Sequence, residues 1–495
     1  MSEPETQSCQ QSLNNCGTQN AVNCSANGAA NNVQMPPSMG ASNPCNNRQN
    51  VRLFDATALL PGESFNPYTR FEQAHIPGSQ YFDGDEFSDP ESTQPHTVPT
   101  PARFAKLFGQ LGGRPPQNEE GAPVNLPLTR GSTVLFPSLD AMQKQGHRRY
   151  DHEYIYGAMG TPVQHELEKI IASLEGGTDC QIVSSGLAAC TTPLLAFLKA
   201  GDHCLLPDSV YGPTRRFAET LLKRFGVTTT YYPPCADAAT IQSLMQPNTR
   251  VLFAESPGSH TFEVQDMSML ASVAHAGQAK LMLDNTWGLG IFAPFKHGVD
   301  ISIQALTKYP SGHSDVIAGA VTVNTQEDWH MLRDASIQLG QLASPDDCWL
   351  TLRGLRTMGV RLAHQSRAAL QIAHWLKNRP EVARVLHPAL SDCPGHEIWK
   401  RDFTGAGSLF GVVLSPQISQ HAMETMIDSL KTFGIGASWG GYESLVLPTS
   451  GGIIRKHPVT GAPQGPAFRL QIGLECPTDL QDDLAQAFEI FKTAV

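Results

Sequence analysis

Short apolar runs with polar ends alternate with amphipathic stretches along most of this chain, a pattern that predicts strands separated by helices. QIVSS (181–185), HCLLPD (203–208), VTTTYYP (227–233), RVLFAES (250–256), KLMLDN (280–285) and ISIQAL (301–306) read as strands, the more apolar of them covered on both faces. TPVQHELEKIIASLEGG (161–177) reads as a helix. Thr161 and Gln164 make a capping box, Pro162 takes the first helical position, and Gly176 and Gly177 stop it. Val163, Leu167, Ile170, Ile171 and Leu174 share one stripe. Further helices are expected from about 187 to 199 and near 213–225. The whole predicts an α/β fold, a mostly parallel central sheet with helices on both sides. Beyond about 345 the helices lengthen and the later strands look antiparallel. Residues 126–344 are therefore expected to form a large domain with an N-terminal arm, and 345–495 a smaller C-terminal α+β domain.

The first 125 residues follow other patterns. Residues 1–50 hold eleven Asn, four Cys and no aromatic residue. Such a segment buries too little apolar area to offset its ordering entropy, so a disordered tail is expected. Cys9, Cys16, Cys24 and Cys45 are irregularly spaced and read as exposed thiols. Residues 51–113 return to strand and helix patterns. VRLFDAT (51–57) reads as a strand, RFEQAHIPGSQYFD (70–83) as helix, turn and strand, and PARFAKLFGQLGG (101–113) as a helix. Residues 114–125 read as a linker.

Charge and composition narrow the function. Lys and Arg total 35 against 46 Asp and Glu, a formal charge of −11, which argues against a general nucleic-acid binder. No apolar run approaches the roughly 18 residues that cross a bilayer, and no basic stretch with an apolar h-region opens the chain. A cytoplasmic protein with reduced thiols is expected. No paired CxxC pattern points to a metal.

In open parallel sheets, ligands bind beyond the carboxyl ends of the strands. After QIVSS come Ser184, Ser185 and Gly186, small residues that let a phosphate approach a helix start. After HCLLPD comes Tyr211, able to stack on a flat ring. Asp284 ends KLMLDN, and Thr307 and Lys308 follow ISIQAL. Taken singly, each has a plain reading: a strand-to-helix turn, a half-buried tyrosine, a helix cap, a surface lysine. Taken together they suit pyridoxal phosphate (PLP): Lys for the Schiff base, Asp for the pyridine nitrogen, N–H groups for the phosphate.

The ordered blocks YGAMGTPVQ (156–164), ESPGSHTFEV (255–264), LDNTWGLG (283–290), SIQALTKY (302–309), GHSD (312–315), RGLRTMGVRL (353–362), HPAL (387–390), WKRDFTGAGSLF (399–410), SWGGYESL (438–445) and RLQIGLE (469–475) make a resemblance. From about Leu126 to Val495 the chain resembles the cystathionine β-lyase branch of the Cys/Met-metabolism PLP-dependent enzymes. ESPGS and SWGGYESL are more similar to β-lyases than to γ-lyases or γ-synthases. The resemblance implies the aspartate-aminotransferase-like fold, type I, of PLP enzymes. It implies that Lys308 holds PLP and moves the Cα proton, that Asp284 pairs with the pyridine nitrogen, and that Tyr211 stacks on the ring. Gly186, Leu187 and Thr307 would cradle the phosphate. Tyr156 would reach in from a neighbouring subunit of a homotetramer. Arg469 would grip the substrate carboxylate, helped by Ser438, with Trp439 lining the pocket.

The implied activity is β-elimination of L-cystathionine to homocysteine, pyruvate and ammonia, a carbon–sulfur lyase step of methionine biosynthesis through transsulfuration. A broader cysteine-S-conjugate β-lyase or cysteine desulfhydrase would use the same residues. A scaffold for a sulfur-relay assembly is the reading outside enzymology. In one place the chain departs from the family: YG is commonly followed there by a phosphate-binding Arg, and here Ala158 and Met159 follow. Loss of that contact predicts weaker PLP retention.

A second resemblance covers 51–113. FEQAHIPGS (71–79), after VRLFDAT, is similar to the N-terminal part of a rhodanese-type sulfurtransferase domain, the mercaptopyruvate type above all. No cysteine lies between Cys45 and Cys180, so the persulfide-forming thiolate is missing from it. The segment reads as a remnant or docking element without transferase activity, with His75 stabilising a turn.

Overall fold

The computed structural model describes residues 124–146, 148–450, 455–457 and 464–493, and the backbone of two short strands, β1 (Leu53–Asp55) and β2 (Ser79–Tyr81). The chain divides into two units, 1–87 and 88–495. In the first, β1 and β2 pair in parallel, Leu53 opposite Ser79. They fall within the strands expected at 51–57 and at the end of 70–83. The tail expected over 1–50, the helix expected over 101–113 and most of the linker lie outside the described residues.

In the second unit seven strands form one sheet: β3 (Asp179–Val183), β4 (His203–Pro207), β5 (Thr228–Tyr232), β6 (Thr249–Glu255), β7 (Lys280–Asp284), β8 (Ile301–Gln304) and β9 (Gly319–Val323). Their order is β3-β9-β8-β7-β6-β4-β5. From β8 to β5 every pairing is parallel, while β9 runs antiparallel to both its neighbours. The sequence reading gave no strand at 319–323. Val321, Thr322 and Val323 suit a strand, and all five residues are buried between β3 and β8. Leu205, Leu252, Leu281 and Leu283 pack into one core and Cys204, Val251, Phe253 and Met282 into another, so these strands are buried on both faces as their apolar runs require.

Helix Pro162–Glu175 covers one face. Thr161 N donates to Gln164 Oε1 at 2.6 Å, one half of the expected capping box, and Gly176 ends the helix at φ 80°. Helix Gly186–Phe197 begins one residue before the expected start and stops at Leu198, which is extended. The helix expected near 213–225 runs as Gly212–Phe217 followed by a π-turn, Ala218–Leu222.

Helix Pro345–Lys377, 33 residues long, leads to a second sheet. Its strands are β10 (Val382–Leu386), β11 (Leu409–Leu414), β12 (Gly434–Ile435), β13 (Leu445–Pro448) and β14 (Ala467–Gln471), in the order β10-β11-β14-β13-β12. All pairings are antiparallel except β12 with β13. Its own core includes Phe410, Val412, Met423, Phe468, Leu470 and Leu484. No helix among the described residues is long and apolar enough to cross a membrane.

Candidate active site

The order of the large sheet reverses between β6 and β4, and the residues singled out in the sequence follow the carboxyl ends of β3, β4, β7 and β8. Asp284 ends β7, and Lys308 lies in the turn that follows β8. A buried network sets the spacing of these two ends. Glu175, the last residue of helix Pro162–Glu175, accepts from Asn285 Nδ2 at 3.0 Å, from Gln304 Nε2 at 2.7 Å and from the Ser302 hydroxyl. Gln304 Nε2 also donates to Asn285 O at 2.9 Å. Burial pushes the Glu175 carboxyl up to about 7, against the pull of its three donors.

Lys308 Nζ donates to Ser438 Oγ at 2.7 Å and stands 5.3 Å from the centre of the Trp439 ring. Burial first, then the charge of Arg469, lowers the amine to about 8, while Asp284 acts the other way. The turn carrying Ser438 and Trp439 approaches Lys308 closely enough to need a glycine. A Cβ on Gly440, at φ 85°, would stand 2.8 Å from Tyr309 N and 2.9 Å from Lys308 C. Arg469, on β14, donates through Nη2 to Ser438 O at 2.9 Å and has no carboxylate partner among the described residues. Burial lowers its guanidinium below the usual range.

Asp284 Oδ1 accepts from Thr286 Oγ1 at 2.6 Å and Thr286 N at 3.1 Å. Burial nonetheless raises its carboxyl above the ordinary value. Tyr211 opens helix Gly212–Phe217, and its N donates to Glu255 Oε2 at 2.6 Å. Gly186 and Leu187 are the first residues of their helix. The Ser185 hydroxyl accepts from Ala188 N, so the N–H groups of 186 and 187 precede any intrahelical bond. A Cβ on Gly186 would stand 2.6 Å from Ala305 Cβ, which keeps this turn against the strand end that leads to Lys308. Thr307 exchanges hydrogen bonds with the backbone of Ala318, 3.2 Å each way through its hydroxyl.

Ser438, Trp439, Arg469 and Asp284 thus stand near Lys308, Tyr211 is near Asp284, and Gly186 packs on the segment that leads to Thr307 and Lys308, while Leu187 and Tyr211 are 40% and 41% exposed. Tyr156 makes none of these contacts and is 49% exposed. It precedes the short turn Gly157–Met159, held by Gly157 N donating to Ser132 O at 2.8 Å.

Sequence reasoning missed three groups. Cys190 lies against Asp284. His260, at φ 62°, carries a buried Nδ1 without a partner, and burial followed by the Arg469 charge lowers the ring to about 4. Beneath the Tyr156 turn, His152 bridges Glu168 at 2.9 Å and Asp179 at 3.4 Å, and His165 faces Met159 O at 3.2 Å. His152, His165 and Glu168 stand close enough to ligate an ion, but Arg333 lies 3.7 Å from Glu168 and already supplies the positive charge. No spacing in the sequence marks these groups; only the fold brings 152, 168, 179 and 333 together.

The donor set fits PLP. The buried Asp284 carboxyl lacks a cation of its own strength, and a protonated pyridine supplies one. The glycine-lined helix start accepts a phosphate, and the Lys308 amine, near 8, is available to an aldehyde.

Known proteins resemble this chain over most of its length. The profile of the Cys/Met metabolism PLP-dependent enzymes matches residues 112–489. A Rhizobium johnstonii protein is 48% identical over 74% of this chain and 91% of its own. The cystathionine beta-lyase of Bordetella avium is 43% identical over 77% of this chain and 96% of its own. The crystal structure of metB from Corynebacterium glutamicum superposes with a TM-score of 0.71 at 28% identity, covering 81% of this chain and all of that one.

Proposed function

Because the chain belongs to the Cys/Met metabolism PLP-dependent enzyme family, we propose that it catalyses the β-elimination of L-cystathionine to homocysteine, pyruvate and ammonia. The observation that carries this reading is Asp284 at the end of β7 and Lys308 in the turn after the adjacent β8, with the Arg469 guanidinium near that amine and without a carboxylate partner among the described residues.

Lys308 would hold the cofactor through its amine, Asp284 its ring nitrogen, Tyr211 its ring face, and Gly186, Leu187 and Thr307 its phosphate. When bound, the cofactor supplies an electron sink for the negative charge that develops at Cα. Arg469 takes the substrate α-carboxylate in its planar fork, and the carbonyl of Ser438 at 2.9 Å orients that fork. The Lys308 amine, lowered to about 8, removes the Cα proton at Nζ near neutral pH. The Ser438 hydroxyl at 2.7 Å keeps Nζ on the substrate side. Trp439, its ring centre 5.3 Å from this amine, would line the pocket beside the substrate. The Cβ–S bond breaks with its electron pair on sulfur, Lys308 or a tyrosine returns a proton to it, and homocysteine leaves as the thiol. The remaining three-carbon unit hydrolyses to pyruvate and ammonia.

Tyr156, 49% exposed and in contact with neither Lys308 nor Asp284, leaves room for a homotetramer in which it serves a neighbouring subunit's site; sedimentation of the holoenzyme tests it. A broader cysteine-S-conjugate lyase rests on the same residues. Pyruvate release from cystathionine, cysteine and cystine, measured side by side, separates the two: the highest kcat/KM falls on cystathionine if the proposal holds. Equal turnover by Lys308→Ala and wild type overturns both.

A further inference from the structure

Cys190 sits one turn into helix Gly186–Phe197, the helix whose start forms the phosphate-type turn. Its Sγ is 3.5 Å from Asp284 Oδ2 and is the donor of that contact. The two oxygens of Asp284 are therefore held by different groups, Oδ1 by Thr286 and Oδ2 by the thiol. The side chain is only 2% exposed. Thr214, fully buried, is the other polar neighbour of the sulfur, and its hydroxyl is otherwise without a partner. The thiol thus reaches Asp284 Oδ2 from a buried helix, with the Thr214 hydroxyl as its polar neighbour.

We propose that Cys190 is a positioning residue: its S–H donates to Asp284 Oδ2 and sets how strongly that carboxylate holds the proton on the cofactor's ring nitrogen. The inference rests on the placement of Asp284 at that nitrogen. The thiol suits a permanent donor. Burial, then the charges of Asp284 and Glu255, push it well above the ordinary thiol range, so it stays S–H at every working pH. A donor to a carboxylate favours its ionised form. With Asp284 ionised the proton remains on the ring, the ring withdraws electrons more strongly, and the nitrogen joining Lys308 to the cofactor becomes less basic. The titratable and charged groups around Asp284 are Glu255 at the end of β6, Lys308 after β8, Tyr211 after β4, and Glu175 beneath it. Of these, only Glu255 and Glu175 oppose its ionisation.

The test compares Cys190→Ala, which removes the donor, with Cys190→Ser, which keeps one at similar volume, in holoenzyme. The readout is the pH titration of the cofactor's visible absorption band, with kcat beside it. Cys190→Ala is expected to raise the midpoint by about half a unit, a fraction of the roughly 1–2 units that one hydrogen bond to a charged group is worth at the carboxylate itself, and to lower kcat several-fold. Cys190→Ser is expected to restore both. Midpoints that agree between the two variants, or failure of both to retain PLP, overturn the inference and leave Cys190 a packing residue. A wild-type protein without a visible band that depends on Lys308 overturns the reading of the site itself, and the inference with it; a wild-type band with unmoved variants overturns the inference alone.

Discussion

The Lys308 amine donates to the Ser438 hydroxyl at 2.7 Å, a bond that joins the turn after β8 to the turn between β12 and β13. Ser438 makes that bond from φ 73°, a region in which a Cβ costs roughly 1–2 kcal/mol. The strain is carried where the amine needs its partner. Ser438→Gly is therefore expected to gain about 1 kcal/mol in denaturant unfolding while losing kcat. Ser438→Ala keeps the strain, loses the bond, and is expected to lose kcat without the gain. Equal stability of the two variants would show that the backbone at 438 is not strained.

The depressed Lys308 amine gives a second outcome. Only the neutral amine attacks an aldehyde, and with the group lowered to about 8 its neutral fraction grows up to and just beyond that pH. The rate at which cofactor-free protein takes up pyridoxal, which has no phosphate to titrate, is expected to rise with pH and level above about 8. Stopped-flow absorbance reads it; a profile still rising steeply at pH 10 would place the amine at its ordinary value.

The parts of this site legible in the sequence are those fixed by local chain geometry. A strand end followed by Asp284, another followed by Lys308, and a Ser-Ser-Gly turn opening a helix each lie within a few residues, so the spacing alone locates them. Thr161, Pro162, Gln164 and Gly176 bounded their helix for the same reason. The partners of those residues were not legible. Cys190 meets Asp284 across 94 residues of chain, Ser302 and Gln304 meet Glu175 across more than a hundred, and Ser438 meets Lys308 across 130. Such contacts depend on strand order, which an apolar run does not encode. β9 differs: Val321, Thr322 and Val323 carry a strand signal of their own, and what an apolar run does not encode is its antiparallel place between β3 and β8.

His152 yields a pH dependence of stability. Bonds to Asp179 and Glu168 outweigh burial and raise its ring to about 9. The unfolded ring titrates near 6.5, so the fold holds the charged form. This stabilisation is complete below about pH 6.5 and is lost as the pH rises through 9; it amounts to about 3 kcal/mol. His152 sits at φ 54°, which Asn tolerates. His152→Asn is expected to flatten the stability profile between pH 6.5 and 9, measured by denaturant unfolding, and to lower stability at pH 6. An unchanged slope would remove His152 as its source.

Ala158 provides the last test, because the site lacks a cation where the family commonly has one. Residue 158 is exposed, in the middle of the turn Gly157–Met159. The turn is fixed from below by Gly157 N on Ser132 O and by Arg333 and His165 on Met159 O. A Cβ on Gly157 would stand 2.0 Å from Gly131 O, so the backbone on that side has no freedom. A longer side chain at 158 therefore extends outward without moving Tyr156. Ala158→Arg adds one charge-assisted phosphate contact, worth about 1.5–3 kcal/mol, or roughly a 10- to 100-fold tighter Kd for PLP. Pyridoxal, without the phosphate, is expected to bind both proteins alike. Dialysis of holoenzyme followed by fluorescence titration of the cofactor-free protein measures both ligands. Equal PLP affinity in the two proteins would place the phosphate out of reach of residue 158, and a gain shared by pyridoxal would assign it to something other than that phosphate.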